Sequence, residues 1–226
     1  MVERAVLWDL DGVVVDTGEF HYLAWTEVLA EADLPFSRQF FQATFGMNNA
    51  GILTTLLGHE PPADQLKFIS ERKEARFRQI IHGQARPLPG VLEALHWFKR
   101  HGFKQAIASS APPANIDFLI DELGLRDQFE ALVSGYDLPG KPAPDVFLLA
   151  ARRLSANPID CLVIEDAVAG VAAAKSAGMT CLAVTNTNPA EKLHKADRVV
   201  DALTVVSAAL INDLFGLTFE EERYDD

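Results

Sequence analysis

The sequence predicts an α/β protein, a parallel sheet covered by helices on both faces, with a small all-helical insert near its start. Three observations predict this. Beyond residue 87, short apolar runs of strand length alternate with stretches whose apolar residues recur at helical spacing. Such alternation implies right-handed crossovers and parallel strands. Residues 17 to about 86 break the alternation and read as helices only. The composition is that of an ordinary globular chain, 226 residues with 49% hydrophobic and 23% charged.

The opening run AVLWDLDGVVVD (5–16) supplies the first strand, which ends near Asp9. The helical insert follows as EFHYLAWTEVLAEA, SRQFFQATF, NAGILTTLLG and ADQLKFISERKEARFRQII. The expected division is a core of residues 1–16 and 87–226 and a cap of residues 17–86. Hinges are expected near Asp16–Gly18 and Ala85–Gly90, where Pro87 and Pro89 punctuate the return. VLEALHWFKRHG (91–102) is then helical to Gly102, and FKQAIASS (103–110) is a strand. PANIDFLIDELGL (113–125) is a helix opening on Pro113 and closing at Gly124. EALVSG (130–135) is a strand, PDVFLLAARRLS (144–155) a helix and CLVIEDA (161–167) a strand. VAGVAAAKSAG (168–178) is a helix, and TCLAVTN (180–186) and RVVDAL (198–203) close the series. The terminal FEEERYDD is acidic and expected to fray.

The formal net charge of −12 disfavours nucleic acid and anionic membrane surfaces as partners. Any phosphate site must therefore be locally positive. Cys161 and Cys181 sit in apolar strand-like runs and read as small buried side chains, not a disulfide or metal site. The N-terminus lacks the pattern of a signal peptide, and no apolar run reaches membrane-spanning length. A cytoplasmic monomer is expected.

Ligands of such sheets bind at the carboxyl ends of the strands. Asp9-Leu10-Asp11-Gly12 stands at the first such end. Alternation along a strand lets Asp9 and Asp11 point the same way. An ionised Asp9 can attack phosphorus, while Asp11 can protonate the leaving oxygen if its pKa is raised. A solvated loop is the competing reading. Ser109-Ser110 ends the second strand, where a hydroxyl can bond a phosphoryl oxygen; Ser110 also reads as a helix cap before Pro112. Gly140-Lys141-Pro142-Ala143-Pro144 is a stiff loop presenting one lysine, able to neutralise phosphate and hold Asp9 ionised. Glu165-Asp166 closes the run CLVI and reads as an oxygen-ligand site for a hard cation, with Asp166 as a helix cap in the plainer reading.

This ordered set, DLDG, Ser109, Lys141 and Glu165-Asp166, each at a strand end, resembles the four motifs of the haloacid dehalogenase superfamily. The long form LWDLDGVVVDTGEFHYLAW, with the insert directly behind it, is similar to the β-phosphoglucomutase-like branch. The resemblance implies a Rossmann-like core with an α-helical cap, acting on a small phosphorylated metabolite. It implies Asp9 as the nucleophile that becomes an aspartyl-phosphate, and Asp11 as general acid and then base. Ser109, Ser110 and Lys141 would bind the phosphoryl group. Mg²⁺ would be held by Asp9, the Asp11 backbone carbonyl and Asp166, with Glu165 assisting. Asp11 argues against dehalogenation, because carbon–halogen displacement has no alkoxide to protonate.

Thr17, His21 and Trp25 stand much as in the mutase pattern, and His21 can adjust Asp11; a helix-face histidine without a role is the alternative. The mutase's phosphate-anchoring arginine follows a glycine loop in the cap, where this chain has Gly46-Met47-Asn48-Asn49 and no cation. Asn49 is the candidate for substrate contact there. Arg72, Lys73, Arg76 or Arg78 can supply charge, although most of that cluster reads as a solvated helix face. Phosphatase action is thus expected first, a sugar phosphomutase second. A non-catalytic binding protein on the same fold is the alternative of another class. The Gly-rich Lys-Ser/Thr loop of a P-loop protein is absent.

Overall fold

The structure, a computed structural model, describes residues 3–216. The acidic stretch FEEERYDD lies outside the described residues. Six parallel strands form one sheet: β1 (Ala5–Trp8), β2 (Lys104–Ser109), β3 (Ala131–Ser134), β4 (Cys161–Glu165), β5 (Thr180–Val184) and β6 (Arg198–Val200). Their order is β3-β2-β1-β4-β5-β6. The chain therefore builds outward from β1 in one direction and then returns to build in the other. The crevice between β1 and β4, where direction reverses, is where an open parallel sheet places its ligand.

Every residue of β1 is fully buried because helices cover both faces of the sheet. Val6 and Trp8 join one apolar layer with Phe98, Ile107 and Leu119, while Ala5 and Leu7 join the opposite layer with Phe147, Val163 and Ala174. Those layers come from α5 (Val91–Arg100) and α6 (Pro113–Glu122) on one side, and α7 (Asp145–Arg153) and α8 (Val168–Ser176) on the other. Cys161 and Cys181 are free and buried among the latter, and burial pushes the Cys161 thiol up to about 12.

The helical insert comprises α1 (Gly18–Glu31), α2 (Arg38–Thr44), α3 (Asn49–Leu57) and α4 (Ala63–Ile81). It has an apolar cluster of its own around Trp25, Leu29, Phe41, Leu53 and Ile69. Its two connections to the sheet run side by side: Val15 bridges Pro87, and the Leu88 N–H donates to the Val14 carbonyl at 2.9 Å.

Two differences from the sequence reading are physical. The run 198–203 is a strand only to Val200, because Leu203–Val205 turn into a 3-10 helix. The chain also adds α9 (Ala208–Phe215), capped by Ser207, which is too short to stand out by periodicity.

Candidate active site

The carboxyl ends of β1, β2 and β4, the loop after β3 and the inner face of the insert surround a cleft of about 480 Å³. β1 delivers Asp9 to its floor; the Asp9 N–H still donates to the Ile164 carbonyl at 3.0 Å, so the backbone leaves the sheet just beyond it. Gly12 then turns the chain with a φ of +84°. A Cβ there would stand 2.0 Å from Asp166 Oδ2, so the turn and the carboxylate occupy adjoining space that only glycine leaves open.

Lys141 reaches in from the proline-flanked loop. Its Nζ donates to Asp9 Oδ1 and to Glu165 Oε1, both at 2.6 Å, and lies over the Phe147 ring. Burial alone would lower the lysine's pKa, but Asp9 and Glu165 outweigh it and hold the ammonium charged. Glu165 Oε2 accepts from the N–H groups of Asp166 and Ala167 at 2.8 and 2.9 Å. A Cβ on Gly170 would overlap the Glu165 carboxylate, which explains a glycine inside α8.

Asp9, Glu165 and Asp166 offer oxygens within 4.8 Å of one another, all buried. Asp166 Oδ2 is buried with no hydrogen-bond partner. An orphaned carboxylate oxygen in such a cluster fits a hard divalent cation such as Mg²⁺. Without that charge, burial pushes the Asp9 carboxyl up to about 7, with Lys141 opposing and Glu165 and Asp11 adding to the rise. Burial and the charges of Glu165 and Asp9 raise Asp166 well above the carboxylate range. Lys141 opposes the rise at Asp9, as a neutralising lysine should, but burial outweighs it, and the same ammonium also serves Glu165.

The Asp11 carboxyl does not share the direction that strand alternation would give it with Asp9, because β1 ends at Trp8 and the chain is already turning toward Gly12. Its Oδ1 accepts from the Thr17 hydroxyl at 2.6 Å and lies 3.4 Å from His21 Nε2. Burial raises this acid, yet the bond and charge of His21, the Thr17 hydroxyl and Lys73 outweigh it and leave Asp11 below its usual value. The raised pKa on which acid action was made conditional is thus not supplied by the site's own residues. His21 stacks on Phe77 at 3.9 Å, and its Nδ1 lies 2.9 Å from the Lys73 ammonium. That contact makes Nδ1 the acceptor and puts the neutral ring's proton on Nε2, toward Asp11. Burial and Lys73 both lower the His21 pKa.

Ser109 is buried at the end of β2, its Oγ accepting from the Ala111 N–H at 3.0 Å, and Ser110 lines the cleft beside it. Asn49 is buried in the wall and donates to Glu74 Oε1 at 2.8 Å, whereas Asn48 caps α3 through the Gly51 N–H. All the residues expected at the site line the cleft except Thr17, which touches it through Asp11.

The basic run on α4 divides. Arg72 and Arg76 are partly exposed and pair with Glu31 and Glu27, a solvated face as read. Lys73 is 3% exposed and bonds Glu74 at 2.9 Å inside the cleft wall. Its place had a signal: Ile69, Lys73, Phe77 and Ile81 fall four apart on one helical stripe, the other three apolar and buried. Glu74, Asn115 and Tyr136 also line the cleft, and the sequence reading passed over them.

A family model described as haloacid dehalogenase-like hydrolase matches residues 3–178. The chain is 34% identical to a β-phosphoglucomutase of Bacillus subtilis (strain 168), covering 93% of this chain and 94% of that one. It is 34% identical to a fructose-1-phosphate phosphatase of Escherichia coli (strain K12), covering 81% and 98%. The crystal structure of a β-phosphoglucomutase from Clostridium difficile superposes with a TM-score of 0.84 at 28% identity, covering 96% and 98%.

Proposed function

The chain belongs to the haloacid dehalogenase-like hydrolase family, and from that premise we propose that it cleaves a phosphomonoester of a small metabolite through Asp9. One observation supports this best: the two carboxylates of DLDG are held apart. Asp9 faces Lys141 and the acidic cluster, while Asp11 faces Thr17 and His21. A nucleophile and a proton carrier need such separation.

Asp9, Glu165 and Asp166 would hold Mg²⁺, which when bound neutralises charge on the phosphoryl group and favours ionised Asp9. Asp9 attacks phosphorus; the bond to the leaving oxygen breaks as the aspartyl-phosphate forms. Lys141 balances the charge of the transferring group, and Ser109 and Ser110 orient it. The incoming dianion places negative charge beside Asp11 and favours its protonated form, so that the carboxyl can hand its proton to the leaving oxygen. Asp11 then takes a proton from the attacking water as the acyl-phosphate opens, and phosphate departs.

Water is the acceptor favoured by the cleft's charge. The loop Gly46–Asn49 carries no cation, Lys73 is committed to Glu74 and His21, and no arginine lines the cleft among the described residues. A second phosphate on a bisphosphorylated intermediate finds no bidentate anchor there. Transfer to a sugar hydroxyl is the second reading, and the likeness to two β-phosphoglucomutases favours it. One assay separates them. The protein is incubated with Mg²⁺ and a panel of sugar phosphates, including β-glucose 1-phosphate with a bisphosphate activator. Free phosphate without isomer supports the hydrolase; glucose 6-phosphate overturns it in favour of the mutase.

A further inference from the structure

Asn115 stands in the first turn of α6, on the sheet side of the cleft, yet its side chain belongs to the insert's network. Its Nδ2 donates to Glu74 Oε2 and its Oδ1 accepts from Arg78 Nη1, each at 2.6 Å. Glu74 and Arg78 lie four apart on α4, so both arms grip the same face of one cap helix. Asn115 is 1% exposed. A planar amide is suited to this position: an anion needs a donor, a cation needs an acceptor, and the amide supplies both.

The grip continues inward. Glu74 Oε1 accepts from Lys73 Nζ at 2.9 Å, and the same Nζ meets His21 Nδ1 at 2.9 Å. His21 Nε2 faces Asp11 Oδ1 at 3.4 Å. A hydrogen-bonded path thus runs from the helix that follows Ser109, through the insert, to the proton carrier. Both ends of the Asn115 amide are engaged, so its role is not substrate contact.

We propose that Asn115 is a positioning residue: by docking α4 onto α6 it aligns Lys73 and His21 with Asp11, so that protonation of the leaving group occurs only with the insert seated. This rests on the phosphomonoester reading above. Its signature is dependence on the leaving group. A poor leaving group needs its proton, whereas a good one departs with less help.

The test uses the full chain with Mg²⁺ on p-nitrophenyl phosphate and phenyl phosphate. Asn115→Ala should lose on the order of tenfold in kcat on phenyl phosphate, the size of effect that a slight misplacement of a catalytic group produces. The loss on p-nitrophenyl phosphate should be clearly smaller. Asn115→Asp sets a second carboxylate against Glu74 and should lose more. Adding Glu74→Gln to Asn115→Asp restores a donor–acceptor pair at that contact, and with it much of the phenyl phosphate rate. Equal losses on both esters, or no rescue by the second substitution, overturn the proposal while the phosphomonoester reading stands. A wild-type protein inert on both esters removes that reading and the proposal together. If Asn115→Ala fails to fold, the rescue pair still decides.

Discussion

The strand-end cluster and the wall supplied by the insert are both buried and both charged, but they are balanced differently. At the strand ends three carboxylates face one ammonium, which bonds only Asp9 and Glu165, an acid oxygen is left without a partner, and Asp9 is pushed up to about 7. In the insert, Glu74 meets Lys73 directly and fills its remaining capacity with the amides of Asn49 and Asn115. Burial would raise Glu74, yet Lys73, His21 and those bonds hold it low. An unbalanced buried cluster is a place for an ion to bind; a balanced one aligns what surrounds it.

The largest break in this contrast should come from Asp9→Asn. The substitution removes the attacking oxygen and is expected to cost at least about 10³-fold in phosphate release, with the circular dichroism spectrum unchanged. Turnover within tenfold of wild type would mean that the strand-end cluster does not supply the nucleophile.

Metal sharpens the contrast through pH. A carboxyl raised in the folded state, as Asp9 and Asp166 are, contributes most below its unfolded value near 4 and loses that contribution as pH climbs through the folded value. For Asp9 the window closes near 7. The rise in Tm on adding Mg²⁺ should therefore be larger at pH 8 than at pH 5.5, where protons compete for the same oxygens. A rise independent of pH would place the bound ion elsewhere. Chelation should abolish turnover at either pH.

On the balanced side, Lys73→Ala leaves Glu74 buried without its ammonium and should cost about 3–5 kcal/mol in urea unfolding. Adding Glu74→Gln should return part of it; full additivity of the two losses would show that the pair is not coupled. The smallest effect belongs to Arg72→Ala, which removes an exposed pair with Glu31. Turnover and Tm should both match wild type, and a clear fall in either would mean that the outer face of α4 is not merely solvated.

The sheet and the strand-end residues were legible because each is announced locally. An apolar run reads as a buried strand wherever it occurs, and polar residues at its carboxyl end mark the crevice in any parallel sheet. Asp9, Ser109, Glu165 and Asp166 were placed at the cleft that way, and Lys141 by its proline-flanked loop. Asn115 was not, and Lys73 stood only as one of four candidate cations, because their burial is decided by one element seating on another. The stripe of Ile69, Phe77 and Ile81 marked the position of Lys73, but only the packed insert shows Glu74 waiting for it. The pKa of Asp11 stayed an open condition for a related reason: burial raises it, but the partners that outweigh burial, His21, Thr17 and Lys73, come from α1, its N-cap and α4.

The placing of β1 between β2 and β4 has a consequence for how the molecule is made. Ala5–Trp8 leave the ribosome before either neighbour and cannot acquire both until Cys161–Glu165 have followed. Until then at least one edge of this wholly apolar strand waits unpaired, while the helices after it already possess an apolar cluster of their own. A chain interrupted before residue 165 would present a sticky strand, a formed helical knot beside it and no cluster of acids to hold an ion.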